Sequence, residues 1–158
     1  MAAEAVMAAL SGGANTTHPM DSQGRVSIAS NHRSILPEDL VIVPSNNKSF
    51  PSLWIYPKVA YDRWVEAFIQ DKATTLNLAE DSNELRFLKA KMHGQEKPIA
   101  VNQVGRILIP KDLREYASLD KEVRIIGAGE YLEVWDEETY IRYDEHYSNK
   151  INIFVDYL

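Results

Sequence analysis

Two short segments of the chain carry an Asp or Asn followed three residues later by Gly-Arg. They are Asp21, Gly24 and Arg25 in the first segment, and Asn102, Gly105 and Arg106 in the second. A carboxylate or amide oxygen can accept hydrogen bonds from the backbone of a tight turn, and glycine adopts conformations that other residues resist. An arginine held at the end of such a turn can bind guanine or phosphate through two parallel hydrogen bonds. The spacing therefore predicts two turns that could contact nucleic acid.

The simpler alternative is that Asp21 pairs with Arg25 and only closes its turn. Two further arginines, Arg33 and Arg114, occupy matching positions after the turns. A helical arginine often bonds an acidic neighbour, so this alternative also applies to them. Lys111 lies beside the second turn in the sequence and is a candidate phosphate contact.

The elements around the two segments repeat in the same order. The turns are followed by Val26-Ser27-Ile28 and by Ile107-Leu108-Ile109, and each run predicts a short strand. Each half continues with two further strand-like runs, residues 40–43 and 53–56 in the first half and residues 122–125 and 132–135 in the second. A helix-like segment then begins at Pro57 and at Asp136. The sequence thus predicts an α+β fold in which one small β-rich module occurs twice.

Helical patterns separate the two copies. Apolar residues fall on one helical face in two stretches, Tyr61, Val65, Phe68 and Ile69, then Leu78, Leu85, Leu88 and Met92. Asp81 and Glu84 have the spacing of a capping box, and Gly94 stands where a helix commonly ends.

The chain therefore divides into five predicted segments. They are an N-terminal extension with little regular structure (1–20), a first repeat (21–62), a helical connection (63–97), a second repeat (98–141) and a C-terminal segment (142–158). Thr16, Thr17 and Pro19 predict at most a short, irregular strand before the first turn, while Ile151, Ile153 and Val155 alternate like a strand.

Composition and charge exclude several classes of protein. The 158 residues include no cysteine, which excludes disulfides, thiolate metal sites and a cysteine nucleophile. No run reaches the ~18 apolar residues of a membrane span, and no signal peptide is recognisable. We therefore expect a cytoplasmic protein. The net charge of −6 opposes DNA binding, but much of the acidic excess lies in residues 136–158, which carry six acidic and two basic side chains away from the Gly-Arg turns.

The sequence does not predict an enzyme. The four histidines, His18, His32, His93 and His146, are scattered without metal-ligand spacing. Neither a glycine-rich phosphate loop nor a nucleophile elbow is present. We expect no cofactor, no metal and no small-molecule substrate.

Residues 104–117 and 133–136 closely resemble the second repeat of the MraZ family, and the resemblance extends over roughly residues 21–141. It implies two AbrB-like swapped-hairpin modules related by a pseudo-two-fold axis, with flanking helices. The family's Asp-x-x-x-Arg signature is linked with DNA contact and falls on Asp21 with Arg25. In the second copy it falls on Asn102 with Arg106, where Asn replaces the family's Asp and lacks the charge to pair with Arg106.

The resemblance also implies a function. Members of the family are transcriptional regulators that assemble into closed rings and bind tandem direct repeats in double-stranded DNA, upstream of the division and cell-wall gene cluster. We accordingly expect a nucleoid-associated homo-oligomer whose DNA-binding residues are the two turns together with Arg33, Lys111 and Arg114. Two other classes stay open: an antitoxin-like protein, and a protein-interaction module acting through the acidic, aromatic residues 142–158.

Overall fold

The computed structural model describes residues 15–28 and 36–151 of the 158-residue chain. The strands are β1 (Asn15–Pro19), β2 (Arg25–Ser27), β3 (Leu40–Pro44), β4 (Leu53–Pro57), β5 (Lys97–Ile99), β6 (Arg106–Leu108), β7 (Glu122–Gly127) and β8 (Leu132–Asp136). The helices are α1 (Lys58–Thr75), α2 (Asn83–Gly94), α3 (Lys111–Tyr116) and α4 (Glu137–Ile151). This mixture confirms the predicted α+β class and the repeated element order.

Six strands form one sheet in the order β1-β7-β8-β4-β3-β5. The first strand of each half pairs with the hairpin of the other half: β1 lies antiparallel to β7, and β5 lies antiparallel to β3. The two hairpins meet at the centre, where β4 pairs with β8. Since the order reads the same from either edge once the halves are exchanged, the chain has a pseudo-two-fold axis between β4 and β8.

A separate ribbon of β2 and β6 crosses the same axis. Its strands are antiparallel, and Val26 lies opposite Ile107 at its centre. Reciprocal hydrogen bonds close both ends. The N–H of Ile28 donates to the carbonyl of Gly105 at 2.8 Å, and the N–H of Ile109 donates to the carbonyl of Gly24 at 2.9 Å. Each turn is thus tied to the strand of the other half.

The two faces of the sheet bury different cores. One face presents alternate residues such as Leu40, Ile42 and Val134 to the ribbon and to α3, whose Leu113 and Ala117 join the same cluster. The opposite face presents Val41, Val43 and Tyr56 to α1 and α2. Because β3 is covered on both faces, its sequence is continuously apolar rather than alternating.

The helices lie mainly on the face opposite the ribbon. Helix α1 buries Ala60, Tyr61, Val65, Ile69 and Ala73 against the sheet and α2. Helix α4 is anchored to β7 through Arg124, whose guanidinium donates to both carboxylate oxygens of Glu137 at 2.6 and 2.8 Å. The ribbon and the three longer helices are therefore separated by the thickness of the sheet.

Three local predictions differ from the structure. Residues 15–19 form a complete five-residue strand, because β7 of the other half supplies hydrogen-bond partners that local sequence does not reveal. The cap of α2 is Ser82 rather than Asp81, since the Ser82 side chain accepts the hydrogen bond from the N–H of Leu85. Ile151 is the last residue of a helix, not part of a strand, and residues 152–158 lie outside the described part of the chain.

Candidate nucleic-acid interface

The two Gly-Arg turns have the same backbone hydrogen bonds. Asp21 Oδ1 accepts from the N–H groups of Gln23 and Arg25, both at 2.9 Å. In the second turn, Asn102 Oδ1 accepts from the N–H groups of Val104 at 3.0 Å and Arg106 at 2.9 Å. Asn therefore replaces Asp without changing the turn, because the amide oxygen accepts the same two bonds.

Both turn glycines adopt a left-handed backbone, with φ of 91° at Gly24 and 82° at Gly105. A residue with a Cβ is strained in this conformation. The carbonyl of Asp21 also accepts from the N–H of Gly24, and that of Asn102 accepts from the N–H of Gly105, both at 3.0 Å. The predicted role of glycine in the turns is confirmed.

The arginines project from the same face of the ribbon. Val26 and Ile107 are buried, so the alternation of side chains along β2 and β6 turns Arg25 and Arg106 to the opposite, outward side. Arg106 is exposed and Arg25 is half-buried. The structure thus places the two guanidinium groups on one surface, across the pseudo-two-fold axis from each other.

Arg25 also pairs with the acidic residue of its own turn. Its Nε lies 3.3 Å from Asp21 Oδ2, while both side chains remain about 40% exposed. The contact between Asp21 and Arg25 that the simpler alternative predicts is therefore present. It leaves the guanidinium group of Arg25 accessible. In the second half, Asn102 cannot form such a pair with Arg106.

The turn also changes the acidity of Asp21. The backbone N–H of Arg25, which donates to the carboxylate, lowers the pKa of Asp21 below its usual value. The N–H of Gln23 and the positive charges of Arg25 and Arg106 act in the same direction. The ionised carboxylate is therefore the form that the folded turn favours.

We expect Asp21→Asn to make the first turn equivalent to the second and to reduce the pH dependence of stability. Because the folded-state pKa of Asp21 is lowered, its contribution to stability is present above the unfolded-state pKa and is lost as pH falls through the folded-state pKa. Urea unfolding between pH 7 and pH 2 should show wild type and variant converging as pH falls. A stability difference that stays constant over this range would contradict the prediction.

Helix α3 extends the surface around the first turn. Lys111 and Arg114 line a shallow depression that also includes Ser22 of that turn. Although Lys111 follows the second turn in sequence, the swapped topology brings it beside the first. The predicted residue Arg33 lies outside the described residues.

Arg114 packs directly on the first turn. A Cβ built on Gly24 would lie 2.6 Å from both Cζ and Nε of Arg114. Arg114 Nε itself is buried without a hydrogen-bond partner among the described residues. The absence of a side chain at Gly24 therefore allows an arginine of the second half to lie across the turn of the first.

We expect Gly24→Ala to reduce stability more than Gly129→Ala. Both glycines have similar φ values, 91° and 94°, so both substitutions carry a backbone strain of about 1–2 kcal/mol. In the part of the chain that the structure describes, a Cβ at Gly129 meets nothing within 4 Å, whereas a Cβ at Gly24 must displace Arg114. Urea unfolding measures the difference between the two variants in the free energy of unfolding. When Arg114→Ala is added to each variant, this difference should disappear. Equal losses for the two single variants would show that Arg114 tolerates the added methyl group.

The acidic helix α4 lies on the other face of the sheet from the ribbon. Helix α4 carries Glu137, Glu138, Asp144 and Glu145, and it packs against β7 and β8 on the face opposite the ribbon. These four carboxylates are therefore kept away from Arg25 and Arg106, although Glu115 and Asp120 line the same depression as Lys111 and Arg114.

A charged cluster that the sequence did not predict lies between α1, α2 and β5. Asp62, His93 and Glu96 approach closely enough to offer ligand atoms to a metal ion. However, Lys58 Nζ lies 2.7 Å from both Asp62 Oδ1 and Glu96 Oε1, and hydrogen bonds to Asp62 and Glu96 raise the pKa of Lys58. The ammonium group thus pairs with one oxygen of each carboxylate, while Glu96 Oε2 is buried without a hydrogen-bond partner among the described residues. The geometry supports an ion-pair cluster that fastens α2 to α1.

The aromatic side chains of α4 contact their own chain. Tyr143 packs on Trp135 with ring centroids 4.4 Å apart, and Tyr143 and Tyr147 both contact Phe50 of the β3–β4 loop. These contacts account for the aromatic residues of 142–151 within the fold. No described helix is long and apolar enough to cross a membrane.

The swapped halves and their paired turns define a two-module AbrB-like protein, and sequence comparisons agree. The family model described as "MraZ protein, putative antitoxin-like" matches residues 11–80 and 92–154. The chain belongs to this MraZ family, which confirms the resemblance found in the sequence.

Similar proteins come from several bacteria. Transcriptional regulator MraZ of Finegoldia magna is 32% identical over 139 residues, covering 88% of this chain and 87% of the relative. The protein of the same name from Carboxydothermus hydrogenoformans is 33% identical over 127 residues, covering 80% of this chain and 82% of the relative. That of Mesoplasma florum is 27% identical over 135 residues, covering 85% and 86%.

Proposed function

We propose that this protein is a sequence-specific DNA-binding transcriptional regulator that contacts DNA with the outward face of the β2–β6 ribbon. The observation that carries the proposal is the placement of Arg25 and Arg106 on that face by two turns with matching hydrogen bonds. Each turn is tied to the strand of the other half, so the ribbon holds both arginines in a fixed relation. Preorganised arginines lose less side-chain entropy when they form bidentate contacts.

The surrounding charges support the same surface. Lys111 and Arg114 stand beside the first turn and are candidate phosphate contacts, as is Arg33 by its position in sequence. The acidic helix α4 lies on the opposite face, so it does not place carboxylates between the ribbon and DNA. The names of the relatives point to transcriptional regulation, and we assign it to this chain on that ground together with the two turns.

We further propose that the protein acts as a closed homo-oligomeric ring on tandem direct repeats upstream of the division and cell-wall genes, at the nucleoid in the cytoplasm. One protomer offers only a few cationic contacts, so its binding to a single site should be weak and salt-sensitive. Linked subunits on adjacent repeats would gain about 10² to 10⁴ in affinity through effective concentration.

Fluorescence anisotropy tests this function. The protein would be titrated on a duplex carrying several direct repeats from that upstream region, on a duplex with one repeat, and on a scrambled duplex of equal length, at two salt concentrations. We expect selective binding that weakens with salt and is far tighter on the array than on one repeat. Equal affinity for repeated and scrambled DNA would refute sequence-specific binding, and equal affinity for one repeat and the array would refute the tandem mode. Sedimentation velocity of the protein without DNA would show whether it forms the proposed ring oligomer.

A further inference from the structure

The two halves differ in the residue that stands two positions after each arginine on the outward face of the ribbon. The pseudo-two-fold axis relates Arg25 to Arg106 and also relates Ser27 to Leu108. Ser27 is polar, whereas Leu108 is a large apolar side chain that is 57% exposed. The surface that carries the two arginines is therefore chemically asymmetric.

Leu108 is the direct cross-strand partner of Arg25, while Ser27 is the partner of Arg106. Side chains opposite each other in an antiparallel pair have Cβ atoms about 4.5–5.5 Å apart. Arg25 and Leu108 therefore lie side by side on the outward face of the ribbon. Burial inside the protomer does not explain this leucine, because its inward neighbours Ile107 and Ile109 are the core residues of the strand.

The major groove of DNA displays hydrogen-bonding groups on every base pair, and its apolar feature is the C5-methyl group of thymine. An exposed leucine beside a base-reading arginine matches that feature. A serine in the same position can bond any of several polar groups and has no apolar surface to match.

We propose that Leu108 contacts the C5-methyl group of a thymine adjoining the base pair read by Arg25, a specificity that rests on the DNA binding proposed above. The half-site read by Arg25 then requires thymine at that position, whereas the half-site read by Arg106 does not, because Ser27 lies there. The pseudo-symmetric protein then recognises a DNA element that is oriented and not palindromic. Such an element suits sites repeated head to tail.

Deoxyuridine provides a direct probe, because it pairs like thymidine but lacks the methyl group. Duplexes that bind the full-length protein would be selected from a random pool and resynthesised with deoxyuridine in place of thymidine. We expect wild-type affinity to fall about fourfold when the methyl group that Leu108 touches is absent. Leu108→Ser, which copies the residue of the other half, should bind the thymidine duplex less tightly and discriminate little between the two duplexes.

A matched control separates this contact from general effects of the substitution. Val59 is a 60% exposed apolar residue on α1, on the face of the sheet opposite the ribbon, so Val59→Ser should keep the full wild-type preference for thymidine. Circular dichroism of each variant checks that the fold is retained.

The outcomes distinguish this inference from the function on which it rests. If the wild type selects duplexes but binds thymidine and deoxyuridine forms equally, the methyl contact is overturned and DNA recognition stands. A Leu108→Ser variant that discriminates as well as the wild type overturns it in the same way. If the wild type enriches no duplex from the pool, the proposed function fails together with the inference.

Discussion

Replacing Arg25 and Arg106 together by alanine is expected to abolish selective DNA binding while leaving the fold intact. A bidentate arginine–base contact contributes about 1–3 kcal/mol of discrimination. Each single variant should therefore lose roughly 10- to 100-fold in affinity for the selected duplex, and the double variant about 10³-fold. The loss should be smaller on scrambled DNA, where fewer base contacts exist to be removed.

The structure supplies the reason that these variants should fold. The turns are closed by the left-handed glycines and by the Asp21 and Asn102 side chains, each of which accepts two hydrogen bonds from backbone N–H groups. These bonds remain when the guanidinium groups are removed, although Arg25→Ala loses the exposed pair with Asp21. The side chain of Arg25 is 40% exposed, so its removal leaves no cavity in the core. The thermal midpoints of the variants should thus stay close to that of the wild type.

Arg63→Ala is the matched control, since Arg63 is exposed on α1, on the face away from the ribbon. Anisotropy titrations of the wild type, the two single variants, the double variant and Arg63→Ala on one selected duplex, at two salt concentrations, provide the comparison. If Arg63→Ala weakened binding as much as Arg25→Ala or Arg106→Ala, DNA would not be contacted through the ribbon.

The second large effect is a loss of stability, and we expect it when a core residue beneath the arginines is truncated. Ile107 is 1% exposed, lies opposite Val26 and packs between the ribbon and the sheet. Ile107→Ala should lower the free energy of unfolding by about 3 kcal/mol, because truncating a buried isoleucine loses transfer free energy and leaves a cavity. Urea denaturation monitored by tryptophan fluorescence measures this loss.

The neighbouring residue provides the control. Leu108 is next in the same strand but faces outward, so Leu108→Ala should change stability by less than about 0.5 kcal/mol. The pair therefore tests the direction of the side chains along β6, on which the exposure of Arg106 depends. Similar losses for the two variants would mean that β6 does not alternate between core and surface as described.

Local rules account for the elements that were predicted correctly. The turns follow from a side-chain acceptor and a glycine within five residues, so their chemistry can be recognised without the rest of the chain. Strands β3 and β4 follow from apolar runs bounded by turn residues. The ends of α1 and α2 likewise depend on nearby signals, Pro57 at one start and Gly94 at one end.

Other features depend on residues far apart in sequence. β1 has little strand propensity of its own and exists because β7 pairs with it across the swapped halves. Lys58, Asp62 and Glu96 form their cluster only when β5 returns beside α1. Arg114 reaches Gly24 because the reciprocal bonds of the ribbon carry α3 over the opposite turn. Spacing in the sequence contains no signal for such contacts.

The sequence by itself determined the repeated module, the two arginine-bearing turns and the family, because each can be recognised from residues that are close together along the chain. Only the tertiary structure decided that Arg25 and Arg106 share one face, that Leu108 stands beside Arg25, and that the acidic helix lies behind the sheet. These relations arise when each half donates its first strand to the other. The exchange is stabilised by burial of a common core, and burial joins residues according to their position in space and not their order along the chain.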